Sequence, residues 1–384
     1  MATLASSSSM SESGSPTFLQ TYFDIAPANR VALLLDYLKL SRDDVHMVWD
    51  ILDVYSADPD GFSLAVENTI THDPQNRLAM RALAWLNVRR GKYADAQSNL
   101  LSLIDQLPSA VVERRELLRV GFVAPELLTP QISDIGRQGL QSPISKTSYE
   151  YQIARASGSA TMAIEADKLR SEMAAAGEAI KARADKASPL AEFLTAIEGA
   201  GRIALVGNGP SLRGAKRGPE IDRYDFIVRC NFPVIKDFAD DVGSRTDAIF
   251  FTEALFRLFD MYLDRDPSYR STRLVTLANP AAAAGLDPIA VTRAAGKTIA
   301  RLPETSLDIM KEMTYRHLTT GAQAYLLLAA LLRKQITVFG FDFYSQKELH
   351  YFSQSAGLWL AHEVQYEQFL FRGVVKPVFG AHIR

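Results

Sequence analysis

The residues with chemistry to offer gather at two places. One is Gly207-Asn208-Gly209-Pro210-Ser211-Leu212, which follows the apolar run Arg202-Ile203-Ala204-Leu205-Val206. Glycines at a strand end let backbone N–H groups approach a phosphate, and a helix starting there favours an anion. Asn208, and Asn231 after the next apolar run, each bring a donor and an acceptor. An Asn behind a strand is equally a common turn residue. Leu212 stands where the dinucleotide fingerprint needs its third glycine, which disfavours NAD. Arg202, Arg213, Lys216, Arg217, Arg223 and Arg229 surround the turn and either favour an anionic ligand or form a solvated face. The second place is C-terminal, where His350-Tyr351 and His362 account for two of six histidines. Neutral imidazole accepts a proton near pH 7, although most histidines do no catalysis. Asp240-Asp241 is a carboxylate pair, but no Cys/His cluster has metal-ligand spacing, so neither a metal nor another cofactor is expected.

These residues need a frame. Short apolar runs recur at 202–206, 226–228, 248–251, 274–277 and 336–339, with helical stretches between several of them. That alternation predicts an α/β domain whose strand-end loops form the site. Ahead of it the pattern is helical, as in Val31, Leu34, Leu35 and Leu38. Residues 77–90 and 94–107 read as two helices joined by Gly91-Lys92-Tyr93. Gly91, Tyr93, Ala96 and Pro108 have the spacing of one tetratricopeptide-like unit of about 34 residues, and a generic helical hairpin fits as well. Residues 109–150 are mixed and hold Pro125, Pro130 and Pro143. Residues 160–187 favour a helix with a thin apolar face, expected as a solvated connection. The expected division is 1–16 disordered, 17–150 a helical, tetratricopeptide-like domain, 151–190 a connecting helix and 191–384 the catalytic domain.

With 384 residues, 47% of them hydrophobic and 22% charged, the chain has the composition of a globular protein with a large core. A net charge of −2 gives no field for nucleic acid. One cysteine, Cys230, excludes an internal disulfide. No secretory signal and no run of about 18 apolar residues is present, so a cytoplasmic location is expected, with peripheral contact at the inner membrane face left open.

The segment from Val206 to Thr246 resembles the large sialyl motif of the sialyltransferases in glycosyltransferase family 29. The shared skeleton is Val-Gly-Asn, Ser-Leu, Gly-Pro-Glu-Ile-Asp, Val-x-Arg-x-Asn and Asp-Val-Gly-Ser-Arg-Thr. Leu318-Thr319-Thr320-Gly321, the apolar stretch 322–332 and Ile336–Phe341 resemble the small motif. His350-Tyr351-Phe352 resembles the third, and His362 through Glu367 the fourth. Gly-Asn-Gly-Pro-Ser-Leu and Gly340-Phe341-Asp342-Phe343-Tyr344 are also similar to family 42. The resemblance implies a Rossmann-like, GT-A-variant fold and an inverting, metal-independent transfer of sialic acid from CMP-sialic acid to a hydroxyl of a glycan or glycolipid acceptor.

The roles follow from the same resemblance. His362 is the implied general base, since the position family 42 uses is Gln354, which cannot accept a proton. His350 is implied at the leaving phosphate, with Tyr351 adding a hydrogen bond. Asn208, Asn231 and Ser211 are implied at the phosphate or ribose, and Thr319, Thr320 and Gly321 near ribose and cytosine. Glu367, five residues past His362, lies about 500° around a helix from it, so it reads as structural or as an anchor. Animal members join the large and small motifs by a disulfide. Ile203 and Leu332 stand at those positions here, so packing replaces the bridge. With no anchor segment, the chain suits a bacterial-type enzyme of polysaccharide biosynthesis. Kdo (3-deoxy-manno-octulosonic acid) is the alternative donor sugar. A different class is an inactive nucleotide-binding or interaction protein whose helical half recruits a protein partner or a second copy. Residues 252–317 match no motif.

Overall fold

The computed structural model describes residues 59–107, 109–231, 233–251, 273–277, 299–315, 318–343, 350–351, 364–380 and 382–383. The expected disorder over 1–16, the helical pattern at 31–38, Gln354 and His362 lie outside these residues. The contacts divide the chain into two compact units, with a boundary in the sequence after Gly139.

The first unit is helical: α1 (Pro59–His72), α2 (Arg77–Arg89), α3 (Tyr93–Gln106), α4 (Val111–Val123) and α5 (Pro130–Arg137). Asn76 starts α2 by accepting a hydrogen bond from the Ala79 amide at 2.9 Å. Gly91, at φ +70°, turns the chain into α3 in a conformation that other residues resist. Ala96 is fully buried beside Ala84 and Val88, so two small residues let the hairpin helices close together. The prolines of the mixed segment begin elements rather than break them. Pro130 follows the cap Thr129, and Pro143 follows the cap Ser142.

The second unit opens with α6 (Pro143–Ala156), α7 (Met162–Arg183) and α8 (Pro189–Gly199). Strands β1 (Ile203–Val206), β2 (Phe226–Cys230), β3 (Ala248–Phe251), β4 (Arg273–Leu277), β5 (Ile299–Leu302), β6 (Ile336–Phe339) and β7 (His382–Ile383) form one parallel sheet in the order β5-β4-β3-β2-β1-β6-β7. Short helices α9 (Gly218–Ile221) and α10 (Ala239–Val242) lie in the connections, followed later by α11 (Glu304–Thr314) and α12 (Thr320–Tyr325). A π-helical stretch, Leu326–Leu331, continues α12. Near the C-terminus, α13 (Val364–Leu370) and α14 (Lys376–Phe379) flank a second such stretch, Phe371–Val375. The helical segment followed by a parallel α/β sheet is the architecture the sequence predicts. Strands β1, β2 and β3 are buried along their whole length, which explains their apolar runs, interrupted only by the buried Arg229. β5 alternates burial instead, as a half-covered edge strand does, and its pattern was not legible as a strand.

The helix expected as a solvated connection is instead part of the second unit. In α7, Ala166, Leu169, Met173, Gly177 and Ile180 are buried. The stripe is thin because the approach is close: a side chain at Gly177 would collide with the Leu331 backbone carbonyl. α6 is tied in too, through Ser148 Oγ to the Met313 carbonyl at 2.7 Å and Tyr315 Oη to the Ser145 carbonyl at 3.0 Å. Gly177→Ala is therefore expected to destabilise this unit by about 1–3 kcal/mol. Gly199→Ala, where the new methyl meets nothing, should leave the thermal midpoint unchanged. Thermal denaturation of the two variants checks the pair.

Candidate functional site

Strand order runs outward from β1 to β5 on one side and resumes with β6 on the other. Loops after β1 and β6 therefore part company at a topological switch point, where open α/β sheets form their ligand crevice. Here the two loops run side by side. Gly207 N–H donates to the Phe339 carbonyl at 2.8 Å, and Gly209 N–H to the Gly340 carbonyl at 2.9 Å. A Cβ at Gly207 would stand 2.6 Å from the Gly340 oxygen, and one at Gly209 would strike the Asp342 carboxylate. The glycines are thus needed for the approach of β6's loop. The next amide, Ser211 N–H, donates to Asp342 Oδ2 at 2.8 Å. The backbone cradle that the sequence offered to a phosphate is filled by the chain's own carboxylate. The Ser211 side chain itself is exposed.

Between β1 and β2 the geometry is different. Asn208 Nδ2 donates to the Cys230 carbonyl at 3.0 Å, which fixes the carboxamide with its oxygen turned away from that contact. Asn231, at φ +53°, donates its N–H to the Phe250 carbonyl at 2.8 Å. Both Oδ1 atoms are buried without a hydrogen-bond partner among the described residues. A buried acceptor left unsatisfied costs about 1–3 kcal/mol, and a ligand donor relieves that cost. As held, Asn208 offers an acceptor, which suits a sugar hydroxyl better than a phosphate oxygen.

His350 is brought to this edge through its neighbour. Tyr351 N–H donates to the Asn208 carbonyl at 3.0 Å. The Tyr351 ring is buried, and its hydroxyl donates to the Val234 carbonyl at 2.8 Å while accepting from the Val234 amide at 3.0 Å. Arg213 Nε donates to the Tyr351 carbonyl. The phenol hydrogen expected for a nucleotide is thus spent on the loop after β2, and Tyr351 holds the site together instead. Thr319 is likewise spent. It caps α12, donating N–H and Oγ1 to the buried Glu367 at 2.6 and 2.8 Å and accepting from the Ala322 amide. Glu367 is the anchor of that helix start. Thr320 is buried behind it. Gly321 lies at the site: a Cβ there would stand 3.0 Å from the Phe341 ring and 3.8 Å from Cys230 Sγ. Phe341 touches Gly207 and Gly321 together, a position the sequence marked only as part of a motif. His362 lies outside the described residues.

The acidic residues nearby are braces. Asp241 accepts from the Gly214 and Lys216 amides at 2.7 and 2.9 Å. Asp222 accepts from the Ser244 amide and hydroxyl and from the Arg245 amide. Burial opposes its charge, but those hydrogen bonds and the Arg229 guanidinium outweigh it and hold the carboxyl below its usual range. Fully buried Arg229 in turn donates to the Val242 and Arg245 carbonyls and to Thr246 Oγ1.

Residues 188–283 match the model of glycosyltransferase family 29 (sialyltransferase). The alpha-N-acetylgalactosaminide alpha-2,6-sialyltransferase 2 of Homo sapiens is 49% identical over 51 residues, 13% of this chain and 14% of its own. An alpha-N-acetylneuraminide alpha-2,8-sialyltransferase of Xenopus laevis is 41% identical over 49 residues, 12% of this chain and 14% of its own. The match thus spans about a seventh of either relative (14%). A crystal structure of a mammalian sialyltransferase in complex with Gal-beta-1-3GalNAc-ortho-nitrophenol aligns with a TM-score of 0.36 and 18% identity, covering 48% of this chain and 68% of that one. Among the described residues no helix is long and apolar enough to cross a membrane.

Two outcomes follow from the geometry. Tyr351→Phe should lower stability in urea by about 1–3 kcal/mol, because it leaves both Val234 backbone groups unpaired. Burial pushes the Cys230 thiol up to about 12, so the thiol stays neutral at pH 8. As the chain's one cysteine, it should label with iodoacetamide only as fast as the native protein unfolds.

Proposed function

We propose that this chain is a glycosyltransferase of sialyltransferase type, taking a sugar activated as its cytidine monophosphate ester and passing it to a hydroxyl of a glycan acceptor. What carries this reading is the coincidence of two things. The family 29 match covers β1, β2 and β3, and the loops of that stretch hold the two buried, unpaired carboxamide oxygens of Asn208 and Asn231. In this reading the nucleotide lies across the ends of β1 and β2, with ribose hydroxyls on the asparagine carboxamides, the base towards Gly321 and Phe341, and the phosphate towards His350.

The reaction is an inverting displacement. The acceptor oxygen attacks the anomeric carbon and its proton passes to the imidazole of His362. The bond from that carbon to the phosphate oxygen breaks, and its electron pair leaves with cytidine monophosphate. Charge grows on the phosphate as the bond breaks, and the His350 imidazole stabilises it there. A monophosphate leaving group carries less charge than a diphosphate, so this reading needs no metal. The helical first unit is available for a protein partner or a second copy.

The test is incubation with CMP-sialic acid and with CMP-Kdo, following release of cytidine monophosphate and transfer to glycan acceptors. Release from one of the two is expected. His362→Ala should lower that turnover about 10²–10⁴-fold, the usual contribution of a general base. Turnover unaltered in His362→Ala removes the base assignment, and absence of nucleotide binding by calorimetry removes the enzyme reading.

A further inference from the structure

We propose that the turn between α6 and α7, residues 156–164, docks this protein on an anionic lipid bilayer, with Met162 and Ile164 entering the headgroup boundary and a collar of arginine and lysine side chains meeting the lipid phosphates. The inference goes beyond the transfer reaction and does not depend on it.

Large hydrophobic side chains at the surface number four among the described residues, and two of them share the first turn of α7: Met162 is 40% exposed and Ile164 65%. They end an uncharged run, 156–164, of which every residue except the partly covered Ser159 is exposed. A Cβ added at Gly158 would meet nothing within 4 Å, so space is open beside the turn. One helical turn rises about 5.4 Å, and interfacial segments bury their apolar side chains about 5–10 Å deep. The apolar start of α7 therefore has the depth that a headgroup boundary takes. Behind it the surface becomes basic. Arg155 lies in the last turn of α6, and Lys168 and Arg170 follow on α7, Arg170 about 12 Å along the axis from Met162. Two more cations come from the C-terminal end. Arg170 Nη1 donates to the Val378 carbonyl at 2.8 Å, which ties α7 to α14 and its exposed Lys376. A Cβ at Gly373 would strike the Arg155 guanidinium, so the segment with the exposed Arg372 lies against the end of α6. Burial raises the Tyr151 phenol and the charges of Arg155 and Arg170 both oppose this, so the two guanidiniums lie near one another. Against these five cations stand Glu150 on α6 and Glu165 and Asp167 on α7, and Asp167 is paired with Arg170. The stretch 371–379 carries no acid. On a chain of net charge −2, this is a local excess of positive charge behind an uncharged apolar tip. Lipid phosphates attract such a collar and the acyl boundary takes the tip, two signals that together give reversible binding. A second copy of the chain is the poorer occupant, because two side chains fall far short of the about 800 Å² that each partner of a stable dimer buries.

Co-sedimentation of the full chain with lipid vesicles tests this, using phosphatidylcholine alone and an equal mixture of phosphatidylcholine and phosphatidylglycerol. Native protein should bind the mixed vesicles and bind phosphatidylcholine alone at least about tenfold more weakly, the scale expected when several cations face an anionic surface. Met162→Ser combined with Ile164→Ser removes the apolar tip at exposed positions, and binding to the mixed vesicles should fall about tenfold or more. Lys168→Gln combined with Lys376→Gln should weaken it about fivefold for each charge removed. Thermal midpoints equal to that of native protein show that both variants are folded. Native protein that stays in solution with both vesicle types overturns the proposal, and so does binding that either pair of substitutions leaves unchanged. A lipid-free dimer in sedimentation velocity that the Met162 and Ile164 substitutions dissolve assigns the tip to a second copy and overturns it too. Turnover of cytidine-activated donors is measured without vesicles, so its failure is a separate result.

Discussion

β1 is paired along both edges, with β2 on one side and β6 on the other, and that pairing does not stop at its last residue. Gly207 and Gly209 extend it with two more bonds to the β6 side. Everything at the ligand end follows from this. Because the β6 loop is pressed against the turn, the Gly207, Gly209 and Ser211 amides are used and the Asp342 carboxylate is brought to Ser211. Because the same turn leaves its β2 side open, Asn208 reaches across to the Cys230 carbonyl and is oriented by it. One loop thus has a closed face and a receptive face, and glycine at two positions permits the closed one.

Several loops that complete the site are held by side-chain bonds to backbone. Tyr351 brackets Val234 and touches Asn208 and Arg213. Other buried phenols act alike: Tyr151 donates to the Gly373 carbonyl, Tyr325 to Gly380 and Tyr366 to Thr314. A ring fills core volume while its hydroxyl satisfies a carbonyl that would otherwise be buried alone. Such a fastening recognises position and not residue type in the segment it holds.

The sheet was legible in the sequence wherever a strand is buried on both faces, because burial favours an apolar run, as at 203–206, 226–228 and 248–251. It was illegible at the edges. β5 is read as Ile299-Ala300-Arg301-Leu302, and two-residue β7 carries no period at all. The prolines at 125, 130 and 143 suggested irregular chain, yet after Thr129 and Ser142 they stand at the first helical turn, where a missing N–H costs nothing. In the site, the identity of the polar residues was readable and their direction was not. Asn208 is held against the Cys230 carbonyl, and Gly321 lies beside Phe341 and Cys230. Thr319 and Tyr351 have their hydroxyls turned to Glu367 and Val234. Asp342 looked like part of a motif, and only the closeness of two loops remote in sequence gives its carboxylate a task.

Glu367 fastens the start of α12 from 48 residues further along the chain. The sheet's last strand, β7, pairs with β6 only at residues 382–383. A ribosome makes these parts in order, so the Thr319 amide and the outer edge of β6 are exposed throughout synthesis of the intervening chain. The Gly321 wall of the site therefore gains its clamp after β1, β2 and β3 have already been released, and a nascent chain halted before residue 367 holds both asparagines but lacks the clamp on the helix beside them.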